Sequence, residues 1–163
     1  MHIPPHLLRQ CFAHGAVCYP EEGCGLLTGP QAEAEPTDFQ PIENRLNALH
    51  EQDPERYPRT AKDGYYLDPL AYLKAERAAR EQRQAIKVIF HSHPDVGAYF
   101  SEEDRKQAMW GELPVYPGMV YLVCGIKNGQ PDGAILAMFN EDTGQFDQVR
   151  IAEPGTAGEA EVA

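Results

Sequence analysis

The stretch "FHSHPDVGAYFSEED", residues 90–104, sets His91 and His93 one residue apart, follows them with Pro94, and then places Ser101 and Asp104 three residues apart. In an extended strand the side chains at i and i+2 leave the same face, so both imidazoles can aim at one point while Ser92 faces away. Pro94 has no amide hydrogen and interrupts strand pairing, which turns the chain where a site needs open space. "SEED" reads as a capping box, a pattern that commonly starts a helix with no catalytic role. The two readings are compatible. A residue at N3 projects back toward the helix N-terminus, so Asp104 can point at the end of the preceding strand.

Two imidazoles and one carboxylate, with a fourth position left to water, match a catalytic zinc arrangement, in which the bound water ionises near a pKa of about 7. An isolated H-x-H is more often two ordinary strand histidines, whereas the added proline, serine and aspartate at this spacing are hard to dismiss. The same ligand set suits non-haem iron, so the ligands by themselves leave hydrolysis and oxygen chemistry both open. His2, His6, His14 and His50 have no ligand spacing to this set.

The elements that must carry these residues follow from periodicity. "HLLRQCFAHGAVC" puts Leu7, Leu8, Cys11, Phe12 and Ala16 on one helical face and predicts a first helix ending near Cys18, since Pro20 cannot continue it. "CGLLTG" (24–29) predicts a buried strand, with residues 36–43 as its neighbour. The polar segment 44–64, with Pro54 and Pro58, reads as a long surface loop. "DPLAYLKAERAAREQRQ" (68–84) predicts a helix capped by Asp68 with Pro69 at its first position, and Leu70, Leu73, Arg77 and Arg80 at helical spacing. "IKVIFHSH" is a β-branched strand whose far end turns polar, and a helix should run from Ser101 to about Gly111. "GMVYLVCGI", "AILAMFN" and "FDQVRI" predict three strands in a mainly antiparallel meander, joined by the turn sequences "KNGQPDG" and "EDTGQ". The order of elements predicts a mixed sheet flanked by helices, α/β or α+β.

Through these residues the chain resembles the JAMM (MPN+) metallopeptidases, bacterial and archaeal branch. "HSHPDVGAYFSEED" matches their H-x-H-P, spacer, S-x-x-D signature, and "EEGCGLLTG" supplies the upstream E-x-x-G through Glu22 and Gly25. "PIEN" and "YYLDPLAYLKAERAARE" look like the connection and helix of the same branch, so the resemblance runs from about Cys11 to Phe139. It implies a JAMM/MPN (cytidine-deaminase-like) fold, α/β (α+β), with a curved, largely antiparallel sheet between helices. It also implies one zinc ion held by His91, His93 and Asp104, with Glu22 as general acid and base and Ser101 stabilising the transition state. A carboxylate beside metal-bound water can take its proton and return it to a leaving amine; the bland reading of Glu22 is a solvated loop acid. Glu21 competes with it, but alternation sends the two side chains to opposite sides, and the motif register selects Glu22. Ser101 would donate to the forming oxyanion or simply cap its helix. Cys24, two residues from Glu22, is either a near-site redox-sensitive thiol or an inert core residue.

The implied activity is a zinc hydrolase cutting a peptide or isopeptide bond at the C-terminal tail of a ubiquitin-like or sulfur-carrier β-grasp protein. The alternative is a catalytically silent interaction module of the same fold. An iron oxygenase has no need for the Glu22 motif. The expanded, charged segment 45–64 departs from short relatives and is expected to border the groove for an extended tail.

Composition narrows the rest. At 163 residues the chain fits one domain, expected over 1–152, with "EPGTAGEAEVA" (153–163) as a disordered acidic tail. A formal net charge of −11 argues against nucleic acid as partner, because that affinity needs clustered Lys and Arg. No basic-then-apolar leader and no membrane-length apolar run is visible, so a cytoplasmic protein with no membrane partner is expected. The four cysteines lack metal or disulfide spacing and are expected mostly in the core.

Overall fold

A sheet with two apolar faces needs a cover on each, and the helices supply them. The computed structural model describes residues 1–155, so most of the expected tail, 156–163, lies outside the described residues. Chain order is α1 (Pro5–Cys18), β1 (Cys24–Pro30), β2 (Asp38–Ile42), α2 (Leu46–Gln52), α3 (Pro69–Glu81), β3 (Gln84–Pro94), α4 (Glu102–Ala108), β4 (Met109–Trp110), β5 (Leu113–Pro114), β6 (Val120–Lys127), β7 (Gln130–Asn140) and β8 (Gln145–Ala152). Six strands form one sheet in the order β2-β1-β3-β6-β7-β8. Only the β3–β6 pair is parallel within it; the other neighbours are antiparallel. The mixed, largely antiparallel sheet flanked by helices is therefore as the sequence predicts.

Strand parity decides which side each residue serves. Val88 and Phe90 of β3 pack with Leu7, Leu8, Cys11 and Phe12 of α1 in one core cluster. Ile89 lies in the other, with Tyr72 and Ala75 of α3 and Ala108 of α4. With a period of two, His91 and His93 follow Ile89 toward α3 and α4, and Ser92 follows Phe90 toward α1. Ser92 there meets Gly15, where an added Cβ would come within 2.9 Å of the Ser92 Cβ.

Two predictions need correction. The segment 44–64 contains a short helix, α2, because Leu46 finds a buried place under the loop and Asn44 Oδ1 accepts the Leu46 amide hydrogen at 3.1 Å. The helix from Ser101 stops at Ala108 rather than near Gly111. Met109 is extended (φ −121°, ψ 143°), and Trp110 pairs with Leu113 across a two-residue turn whose Gly111 has φ +63°. Glycine supplies that backbone without a Cβ penalty, as hairpin turns require. On α3 the buried stripe is Tyr72, Ala75 and Ala79, while Leu70 and Leu73 stand 65% and 50% exposed. Small alanines let the helix approach the sheet, and the leucines are left outside. The Asp68 cap is as predicted, accepting from the Leu70 amide at 3.1 Å. All four cysteines are free; Cys11, Cys24 and Cys124 are buried and Cys18 partly so. No helix among the described residues is long and apolar enough to cross a membrane.

Candidate metal centre

The end of β3 and the start of α4 converge. His91 and His93 are buried, with their Nε2 atoms 3.0 Å apart. Asp104 places Oδ1 3.2 Å from His91 Nε2 and Oδ2 3.3 Å from His93 Nε2. Its aim comes from the helix cap. The Ser101 amide donates to Asp104 Oδ2 at 2.8 Å, and the Asp104 amide donates to Ser101 Oγ at 3.1 Å, a reciprocal capping box. A hydroxyl that accepts one bond still has its own hydrogen to give. Ser101 lines the cavity over the centre, so capping and donating are compatible roles for it.

Glu22 reaches the same imidazoles from just before β1. The antiparallel register sets Cys24 opposite His91, and beyond the strand end Gly23 is pinned to Ser92 twice. The Gly23 amide donates to Ser92 Oγ at 2.8 Å, and the Ser92 amide donates to the Gly23 carbonyl at 2.9 Å. Parity then puts Glu22 on the histidine face, with Oε1 4.0 Å from His93 Nε2. Glu21 points elsewhere and accepts from Asn47 Nδ2 at 2.8 Å. Gly25, the glycine of E-x-x-G, has a packing reason: a Cβ there would lie 2.6 Å from the Gln40 carbonyl oxygen and 2.7 Å from the Phe39 ring. The Cys24 thiol donates to the Ile42 carbonyl at 3.4 Å, and burial pushes it up to about 12, which favours the core reading of that residue.

Two carboxylates therefore face one pair of imidazoles, and their electrostatics differ. Burial alone would raise the Asp104 carboxyl, but His91 and His93 draw it well below the usual carboxylate range. Burial, then the charges of Asp104 and Asp63, push Glu22 up to about 9, with Arg59 opposing. Burial also lowers His91 against the pull of Asp104, which favours the neutral ring. His93 Nδ1 lies 3.2 Å from the Gly97 carbonyl, which can only accept, so that nitrogen donates there and Nε2 is the ring atom left facing the centre. A neutral His91 ring and an ionised Asp104 carboxylate are protonation states that suit a metal.

Those groups are compatible with a cation. His91 Nε2, His93 Nε2 and the two Asp104 oxygens face one another across 3.0 to 3.3 Å, a cluster of ligand-type atoms that one cation could bridge. Ligand atoms of Glu22, His91 and His93 also lie within 4.8 Å of one another. Among the described residues the buried Glu22 Oε2 and His91 Nδ1 have no hydrogen-bond partner. A cavity of about 840 Å³ opens over the centre, floored by Glu22, His93, Ser101 and Asp104 and walled by residues of the 56–66 segment such as Tyr57 and Arg59. Arg59 ties that wall to α4, 3.7 Å from Glu103.

Sequence reasoning missed the aromatic residues that pack against the imidazoles. Tyr65 stacks on His91 at 4.3 Å between ring centroids, and Tyr99 meets His93 edge-on at 5.0 Å. Asn44 was readable as the last letter of "PIEN", yet nothing local signals that its amide reaches Glu22.

Comparison with known proteins agrees with this geometry. The family described as prokaryotic homologues of the JAB domain matches residues 4–137. A probable TtuB-protein conjugate cleaving protease of Thermus thermophilus is 36% identical over 110 residues, 68% of this chain and 64% of that protein. The CysO-cysteine peptidase of Mycobacterium tuberculosis is 33% identical over 106 residues, 65% of this chain and 64% of that protein. The chain thus matches just under two thirds of the length of both curated relatives. The solution structure of a protein from Salinibacter ruber is 31% identical with a TM-score of 0.62, covering 99% of this chain and 95% of that one. A family match spanning residues 4–137, most of the chain, makes this protein a member of the prokaryotic JAB-domain family.

Proposed function

We propose that the chain is a zinc-dependent hydrolase that cuts a peptide or isopeptide bond at the C-terminal tail of a ubiquitin-like or sulfur-carrier β-grasp protein. The observation that carries this is the pairing of two unlike carboxylates at one pair of imidazoles: Asp104 ionised between them, and Glu22 protonatable beside them under an open cavity. The names of the two curated relatives, one for TtuB conjugates and one for CysO-cysteine, support the substrate class.

In this reading His91 and His93, through Nε2, and Asp104, through its carboxylate, hold the ion. A zinc ion in such a set lowers the pKa of a bound water to about 7 and polarises a carbonyl. Glu22 carries the proton. Beside a bound cation its carboxylate would ionise, accept a proton from the attacking water, hold it in a desolvated place 4.0 Å from His93 Nε2, and return it to the leaving amine. The Ser101 hydroxyl, steadied by the Asp104 amide, donates to the oxyanion forming on the scissile carbonyl. An extended tail enters along the wall formed by the 56–66 segment.

Ser101→Ala separates donor from cap. Turnover is expected to fall about 100-fold, while loss of the cap costs about 1 kcal/mol in thermal or denaturant unfolding; equal small losses in both would leave Ser101 as a cap alone. The activity itself is tested by incubating the zinc-loaded protein with tailed β-grasp proteins carrying either a C-terminal amino acid or a lysine-linked protein, and reading product masses. New masses at the tail junction, absent with Glu22→Ala, are expected; intact substrates throughout would end the proposal.

A further inference from the structure

Glu22 lies outside β1, so strand pairing does not hold it. We propose that Asn44 is the positioning residue that sets Glu22 over the cavity and locks the 45–66 segment against the centre; this rests on the reading of Glu22 as proton carrier. The Asn44 side chain uses two donors and two acceptor positions at once. Nδ2 donates to the Glu22 carbonyl at 2.9 Å and to the Gly64 carbonyl at 3.1 Å. Oδ1 accepts from the amides of Leu46 at 3.1 Å and Tyr66 at 3.0 Å. Two carbonyls on one side and two amides on the other fix which way the side chain points.

One side chain thus joins three stretches of chain: the proton carrier, the start of the long segment and its end. The end matters because Tyr65, between Gly64 and Tyr66, is the ring stacked on His91. A second staple runs in parallel. The Glu22 amide donates to the Ala61 carbonyl at 2.6 Å, and the Ala61 amide donates to Asn47 Oδ1 at 2.8 Å. Asn47 also holds Glu21, so the two neighbouring acids are turned to different tasks. An ordinary local role for Asn44, an Asx turn opening α2, accounts for the bond to Leu46 alone. The other three bonds reach positions 20 and 22 residues away, and helix formation does not call for them.

The test is Asn44→Asp, which keeps an acceptor for Leu46 and Tyr66 and replaces the donor facing Glu22 and Gly64 with oxygen. Asn44→Ala is read in the same way should the aspartate variant fail to fold. Turnover on a cleaved conjugate is expected to fall about 100-fold, the size of effect that misplacing a reacting group by about 1 Å produces. KM and metal content should stay unchanged. In a Glu22→Ala background the same substitution should cost less than about twofold more, because residues acting through one group are not additive. Amide hydrogen exchange at Glu22 should quicken by about tenfold or more. Losses of equal size in both backgrounds, or unchanged exchange at Glu22, would overturn the assignment. If the wild-type protein cleaves no conjugate, the proposed activity falls by that result, and the exchange measurement alone decides on Asn44.

Discussion

Glu22→Gln is expected to cut turnover about 1,000-fold, within the range for losing a positioned acid and base, while one metal ion per chain is retained. The carboxyl is buried, one of its oxygens has no partner among the described residues, and its Oε1 stands 4.0 Å from His93 Nε2. Glutamine has the same shape and cannot carry the proton. Stability should move the other way. Glu22 is held at about 9 in the folded protein against an ordinary 4.5, so between those values the folded state binds the extra proton and ionisation increasingly opposes folding as pH rises. In metal-stripped protein the glutamine variant should therefore gain on wild type from about pH 5 upward, with the largest gain near pH 9. Steady-state kinetics, elemental analysis and thermal scans across pH check all three statements, and loss of metal in the variant would make Glu22 a ligand instead.

Zinc should raise the melting temperature of the stripped protein by about 10 °C. At a thousandfold excess over its dissociation constant, ligand binding contributes about 4 kcal/mol, and each kcal/mol shifts a domain of this size by about 2 to 4 °C. The shift has a local cause. The facing Nε2 atoms at 3.0 Å and the two Asp104 oxygens gather acceptors that one cation satisfies together. His91→Ala should remove the shift almost entirely, and activity with it. A variant whose melting temperature still rises by the same amount would place the stabilising ion elsewhere.

How much of this was legible depends on the range over which each residue acts. The two imidazoles were readable because strand parity is local, and Asp104 because a capping box fixes N3 within four residues. Glu22 was separable from Glu21 by the same parity, and the structure adds the reason, Ser92 pinning Gly23 from the opposite face. The segment 44–64 looked like plain loop because its order rests on Asn44, Asn47 and Arg59, whose partners are distant in sequence. On α3 the helical spacing located the helix and left its buried face open; Ala75 and Ala79 pack while Leu70 and Leu73 stand exposed, because close helix-to-sheet approach selects for size. The short β4–β5 hairpin carried its signal in Gly111, which the capping pattern upstream obscured.

The central claim is that one strand end and one helix start grip a single divalent ion with Glu22 standing off as proton carrier. Anomalous diffraction from crystals of the zinc-loaded protein, recorded on both sides of the zinc edge, measures this directly. The account predicts one peak at about 2.0 to 2.2 Å from His91 Nε2, His93 Nε2 and an Asp104 oxygen, with Glu22 beyond bonding distance. A peak bound by Glu22 in place of Asp104, or no peak between the two imidazoles, would contradict it.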